Sequence, residues 1–148
     1  GMDKIEFLLA PNTGEGERSL QKAVSGGELS RVLLAFKTVT ANSDSTPLLI
    51  FDEVDSGISG EIGNKIGNAL RKLGKTHQVL TITHLHQVAC RANSQLAVKK
   101  HEENGRTFTE FLTLDKENRI FEIVRMLGET SSETAKEHAA QLLEAEYE

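Results

Sequence analysis

In Leu48-Leu49-Ile50-Phe51-Asp52-Glu53, four consecutive apolar residues run straight into two carboxylates. A run this short and this apolar reads as a strand buried on both faces, the kind found in a parallel sheet covered by helices. The two acids then stand at the strand's carboxyl end. Ligands of open α/β sheets sit beyond those ends, so the hexad marks both a sheet and the place for a site.

Downstream, Asp55-Ser56-Gly57-Ile58-Ser59-Gly60 is a loop. Ser59 is suited to cap a helix whose inner face is Ile62, Ile66, Ala69, Leu70 and Leu73, with Gly74-Lys75 as its stop. Gln78 to Thr83 is a second β-branched run, His84 sits at its carboxyl end, and a short helix from Leu85 to Arg91 follows. Upstream, the Ser25-Gly26-Gly27 turn opens a helix with Leu29, Val32, Leu33, Phe36 and Val39 at helical spacing. Asn42 to Pro47 is a loop back into the first strand. Strand, helix, strand, helix in alternation predicts an α/β fold with a mostly parallel sheet and right-handed crossovers.

The flanks read as additions to the same domain, residues 1–148. Ile5 to Ala10 is strand-like and closed by Pro11-Asn12, and Thr13 to Lys22 is a polar loop. Leu96 to Val98 and Thr107 to Leu114 flank Asn104-Gly105, a β-hairpin signal. Ile120, Ile123, Val124 and Leu127 define one C-terminal helix. Ala135, Ala139, Leu142 and Leu143 define another, with Thr130-x-x-Glu133 as its expected capping box.

Composition narrows the classes. A net charge of −5 argues against a general nucleic-acid-binding surface. Arg71, Lys72 and Lys75 form the densest basic group, and cations at a helix carboxyl end are ordinary. Cys90 is the single cysteine, so no intrachain disulfide can form, in keeping with a reducing cytosol. No apolar run approaches the roughly 18 residues of a membrane span, and no basic region feeds an apolar stretch as in a secretory signal. The expectation is a cytoplasmic protein with no membrane partner.

Three groups can carry chemistry. Mg²⁺ takes one or two carboxylates plus waters and phosphate oxygens, which suits Asp52. A second carboxylate can orient or deprotonate an attacking water in phosphoryl transfer, which suits Glu53. In Ser25-Gly26-Gly27-Glu28, glycines allow a close backbone approach to an anion, and the helix that follows offers free N–H groups. A bare Ser-Gly-Gly would be only a capping turn; the full Val24 to Arg31 octet opening an amphipathic helix points to a ligand. His84 is placed to hydrogen-bond a phosphate oxygen or a water. His84, His86 and Cys90 also have partial zinc-ligand spacing, but lack a fourth ligand. No G-x-x-x-x-G-K-[ST] phosphate loop occurs in the 148 residues.

Together these residues resemble the C-terminal half of an ABC-type ATPase head. Within that class they resemble the RecN family of DNA repair proteins, relatives of the structural maintenance of chromosomes (SMC) proteins. The likeness runs through Ile5 to Asn12, Val24 to Arg31, Leu49 to Gly60, Ile82 to Leu85, and the tail around Ile123 to Leu127 and Ala135 to Ala139. Glu53-Val54-Asp55 has the SMC-like form rather than the E-P-T of most transporters. Val24 to Arg31 then corresponds to the signature loop, Leu48 to Glu53 to the Walker B strand, Ser56 to Ser59 to the D-loop and His84 to the H-loop.

The resemblance implies two heads that sandwich two ATP molecules. Ser25, Gly26, Gly27 and Glu28 would act at the γ-phosphate held by the opposite head. Asp52 would support Mg²⁺, Glu53 would activate the hydrolytic water, and His84 would sense the γ-phosphate. Ser56, Gly57 and Ser59 would line the interface between heads. Implied partners are the N-terminal lobe and coiled coil of the same polypeptide, a second head in an ATP-dependent homodimer, and DNA on the nucleoid. Two positions depart from the usual pattern: Ser59 replaces the Asp of SMC D-loops, as in RecN, and His86 stands where RecN usually has Pro. With phosphate loop, Q-loop and coiled coil missing, the expectation is a C-terminal lobe that is inactive by itself. The competing readings are a non-catalytic docking module and the lobe of another SMC-like or transporter ATPase.

Overall fold

Strands β3 (Leu48–Phe51) and β4 (Gln78–Thr81) pair in parallel, with Leu48 opposite Gln78 and Phe51 opposite Thr81. The structure is a computed structural model that describes residues 2–10, 14, 16–20, 25–130 and 132–145. The readings that fall on Pro11-Asn12, Thr13, Glu15, Gln21, Lys22 and Val24 lie outside the described residues. β1 (Leu8–Leu9) and β2 (Arg18–Ser19) form a short antiparallel pair, so part of the polar segment read as loop is a strand.

Helix α1 (Gly26–Thr40) precedes β3, and α2 (Gly60–Leu73) makes the crossover from β3 to β4. α3 (His86–Ala89) follows β4. Leu34 of α1, Leu49 and Phe51 of β3, Ile66, Leu70 and Leu73 of α2, Val54 and Val88 close one core. Gly60, Gly63 and Gly67 let α2 approach the α3 segment. A Cβ on Gly67 would stand 2.8 Å from Arg91 Cγ and 2.9 Å from the Gln87 carbonyl oxygen, so no larger residue fits there unshifted. Arg91 secures the contact by donating to Asn68 Oδ1 at 2.8 Å and Asn64 Oδ1 at 3.2 Å.

The hairpin β5 (Leu96–Glu103) and β6 (Arg106–Thr113) turns at Asn104-Gly105, both with positive φ, as a tight two-residue connection requires. Two helices complete the chain, α4 (Lys116–Leu127) and α5 (Glu133–Glu144). Ile123, Val124, Ala135 and Ala139 pack with Ala89 and Cys90 of the α3 segment into a second core. Asp115 caps α4 by accepting from Asn118 N at 2.8 Å, and Gly128 ends it in the left-handed conformation. Burial pushes the Cys90 thiol above its ordinary pKa, so it behaves as a small apolar group.

Four expectations need correction. β3 is buried on one face only: Phe51 is 2% exposed but Ile50 is 59% exposed. Among the described residues only β4 pairs with it, and no layer covers the side bearing Leu48, Ile50, Leu80 and Ile82. The face of α1 read as inward is largely outward. Leu29, Leu33, Phe36 and Val39 are exposed, while Gly27 and Leu34 are buried. In α2, Ile62 is likewise exposed. Finally, the last helix is capped by Ser132, whose Oγ accepts from Ala135 N at 3.2 Å, and not by Thr130. The parallel pairing is confined to β3 and β4, and the remaining described strands are antiparallel.

Candidate functional site

Asp52 and Glu53 leave β3 at its carboxyl end, where both are exposed. Glu53 has φ 56°, a left-handed conformation that costs a non-glycine residue about 1–3 kcal/mol. Contacts on either side hold the turn. Val54 is fully buried and Asp55 is 2% exposed, so the two residues after Glu53 are anchored in the core. Ser56 N donates to the Glu53 carbonyl at 3.0 Å.

Helix α1 fastens onto the same turn. Ser30 Oγ donates to the Asp52 carbonyl at 2.9 Å, and Arg31 Nη1 donates to the carbonyls of Ser56 at 3.0 Å and Val54 at 3.4 Å. Gly27 makes the fit possible. A Cβ there would lie 2.9 Å from the Glu53 carbonyl oxygen and 3.1 Å from Ser56 Cβ, while one on Gly26 would lie 3.1 Å from Glu53 Oε2. At the helix start Ser25 and Glu28 form a reciprocal cap. Ser25 N donates to Glu28 Oε2 at 2.8 Å, and Ser25 Oγ accepts from Glu28 N at 3.4 Å. The backbone hydrogen bond from Ser25 lowers the Glu28 pKa, helped by the Ser25 hydroxyl and more weakly by Arg31.

The other wall comes from the end of β4. Asp52, Glu53, Asp55, Ser56, Ile82, Thr83 and His84 line an open pocket of about 310 Å³. His84 is exposed, with Nδ1 3.3 Å from Asp55 Oδ2. The structure therefore brings Asp52, Glu53, Ser56 and His84 to one hollow, with Gly26 and Gly27 against Glu53. Ser25 and Glu28 cap each other outside the hollow's lining. Gly57, at φ 69°, and Ser59, at the N-cap of α2, lie further along the loop.

Ser30 and Arg31, within the octet, Asp55, within the loop after the acids, and Thr83 were given no individual role from the sequence, yet they shape the site. A signal existed for two of them: Ser30 and Arg31 stand three and four residues after Gly27, on its face of the helix. Asp55 carried no such signal, because an acid in a polar loop looks solvated until Val54 is seen to pull it inward. His86 is partly buried, and burial, then the nearby charge of His138, lowers its pKa.

The carboxylates of Asp52 and Glu53 accept no hydrogen bond and form no ion pair among the described residues. Among the described residues no three or more His, Cys, Asp or Glu side chains, His84, His86 and Cys90 included, stand together as a group that could hold a metal ion. One free carboxylate beside a second fits a cation that arrives with phosphate and water ligands rather than a resident metal.

No protein-family model matches the chain. Among solved structures it superposes on an SMC ATPase, described in work on ATP-driven dimerisation and DNA-stimulated activation, with a TM-score of 0.53 and 18% identity. The match covers 80% of this chain and 70% of that one. That likeness gives the chain the α/β fold of an SMC-type ATPase head. In sequence the chain is 46% identical over 145 residues to the DNA repair protein RecN of Streptomyces coelicolor, and 47% identical over 144 residues to that of Vibrio cholerae. Each match covers 97% of this chain, and the chain belongs to the RecN family. It spans about a quarter of the length of the curated relatives it matches: 25% of the first and 26% of the second.

Proposed function

We propose that residues 1–148 form the C-terminal lobe of an ATPase head in a RecN-like DNA repair protein, acting in double-strand-break repair and recombination. The observation that carries this reading is the convergence of Asp52, Glu53 and His84 on one hollow at the strand ends, with the Gly26-Gly27 turn fastened beside it. In this reading Asp52 supports Mg²⁺, usually through water, and Glu53 takes the proton of the hydrolytic water. His84 contacts the γ-phosphate from the same head. Ser25, Gly26 and Gly27 meet the γ-phosphate of a nucleotide held by a second head, and Ser56, Gly57 and Ser59 border that second head. Bound Mg²⁺–ATP would supply the phosphoryl group and the charge that the cation neutralises.

The open apolar faces support a partner from the same polypeptide. Leu48, Ile50, Leu80 and Ile82 on the sheet and Leu29, Leu33, Phe36 and Val39 on α1 are all exposed, and clustered exposed apolar side chains mark interaction surfaces. An N-terminal lobe bearing the phosphate loop would cover them, joined through a coiled coil. The RecN relatives, DNA repair proteins by name, support DNA as a partner of the parent protein; a cytoplasmic, nucleoid-associated setting belongs to the same proposal. No described helix is long and apolar enough to cross a membrane.

The test is to mix the chain with a separately expressed remainder of its parent and measure ATP hydrolysis with and without Glu53→Gln. Turnover that appears on mixing and falls about 10²–10⁴-fold in the variant supports Glu53 as the base. Unchanged turnover rejects that role.

A further inference from the structure

Asp55 is not among the residues assigned a role above, yet it is the most enclosed carboxylate beside the hollow. Only 2% of it is exposed, and its Oδ2 is crowded. That single oxygen accepts from Thr83 Oγ1 at 2.5 Å, from His84 N at 3.0 Å and from Leu85 N at 3.3 Å. The His84 ring nitrogen Nδ1 stands 3.3 Å from the same atom. One carboxylate on the loop after β3 thus gathers the backbone and the side chain of the turn after β4.

The chemistry of that crowding is directional. An ionised carboxylate only accepts, so Nδ1 must carry a proton to sit favourably against Oδ2. If Nδ1 holds the proton of the neutral ring, Nε2 is left with its lone pair, and Nε2 has no hydrogen-bond partner among the described residues. We infer that Asp55 is a positioning residue that fixes His84 in the Nδ1–H tautomer, with Nε2 left free at the hollow. The consequence for function rests on the reading proposed above. With Nε2 as an acceptor, neutral His84 accepts a hydrogen bond from a water. It can donate to a phosphate oxygen only as the imidazolium, for which buried Asp55 is the counter-charge. The backbone bonds from His84 N and Leu85 N hold the turn that carries the ring against Asp55.

The test is ¹⁵N–¹H correlation spectroscopy of the chain with ¹⁵N-labelled histidine, at about pH 8 and thus above the ordinary histidine range. His84 is assigned by loss of its signals in His84→Gln. The expected result is the Nδ1–H tautomer for His84, shifting to a mixture dominated by Nε2–H, as in free imidazole side chains, in Asp55→Asn. Asparagine keeps an uncharged oxygen that accepts from Thr83 and the two backbone amides, so the turn is retained, but it removes the negative charge that holds the proton on Nδ1. Thr83→Val is the control, with the tautomer unchanged because Asp55 is still present. An Nε2–H ring in the wild-type chain overturns the inference, as does a tautomer indifferent to Asp55→Asn. Should Asp55→Asn fail to fold, the wild-type tautomer alone decides. No nucleotide is involved, so failure here is distinct from failure of the proposed ATPase role.

Discussion

The half of the molecule built from α1, β3 and β4 and the half built from α4 and α5 use similar amphipathic sequence but finish differently. In the C-terminal half the apolar residues meet one another. Ile123 and Ala139 are fully buried, Val124 nearly so, and α4 and α5 each carry a side-chain cap. In the other half one face closes over Leu34, Leu49 and Phe51 while the opposite face, equally apolar, stays open. The open half also holds the exposed carboxylates, the glycine turn and His84. Hydrophobic patterning marks an apolar face without naming its partner, and in the open half no layer among the described residues covers that second face.

Core truncation distinguishes the halves most sharply. Ile123→Ala should lower unfolding stability by about 2–5 kcal/mol, since the side chain is fully enclosed. Denaturant melts of the chain check this, and a loss below about 1 kcal/mol would mean that the C-terminal core is looser than described.

Acid should reach the two halves in different windows. His86, on α3, has a folded pKa below its ordinary 6.5 because burial disfavours its charge. Its neutral form is therefore favoured by folding. The contribution is intact above pH 6.5 and is lost as pH falls from there through the lowered folded value. Asp44 follows α1 in the open half, where Lys37 Nζ lies 2.6 Å away and Thr46 adds two hydrogen bonds. The Lys37 bond, then those from Thr46, depresses its pKa well below 3.8. Its contribution is present above pH 3.8 and lost only as pH falls further. Melting temperature against pH should flatten below 6.5 in His86→Gln and below 3.8 in Asp44→Asn.

The smallest change is expected on the open face. Ile50→Ser should shift the chain's stability by less than about 0.5 kcal/mol, because the side chain already faces solvent. A loss as large as that of Ile123→Ala would mean that this face is covered within the chain itself.

Much of this arrangement was legible in the sequence. The hexad at Leu48 located the strand and its acids, the Asn104-Gly105 turn located the hairpin, and the spacing of Ile120, Ile123, Val124 and Leu127 located the face of α4. The α1 stripe was read inward because helical periodicity identifies an apolar face without naming its partner. The cap of α5 was misplaced because Thr130 and Ser132 both precede an acid-led helix, and only backbone geometry chooses between them. Of the residues read from the sequence, Asp52, Glu53 and His84 share one hollow and Gly26 and Gly27 abut Glu53, whereas Ser25 and Glu28 cap α1 outside its lining. Asp55 acts through long-range hydrogen bonds from Thr83 and the backbone of the turn after β4, and such contacts leave no local pattern.

The reading of an incomplete composite site is open to direct trial by calorimetric titration of Mg²⁺–ATP into the chain alone. The strand-end acids and the glycine turn lack the phosphate loop that normally supplies most phosphate donors. Weak or no heat of binding is predicted. Stoichiometric micromolar binding by the isolated chain would contradict it, because the chain would then grip a nucleotide without the layer that its open face lacks.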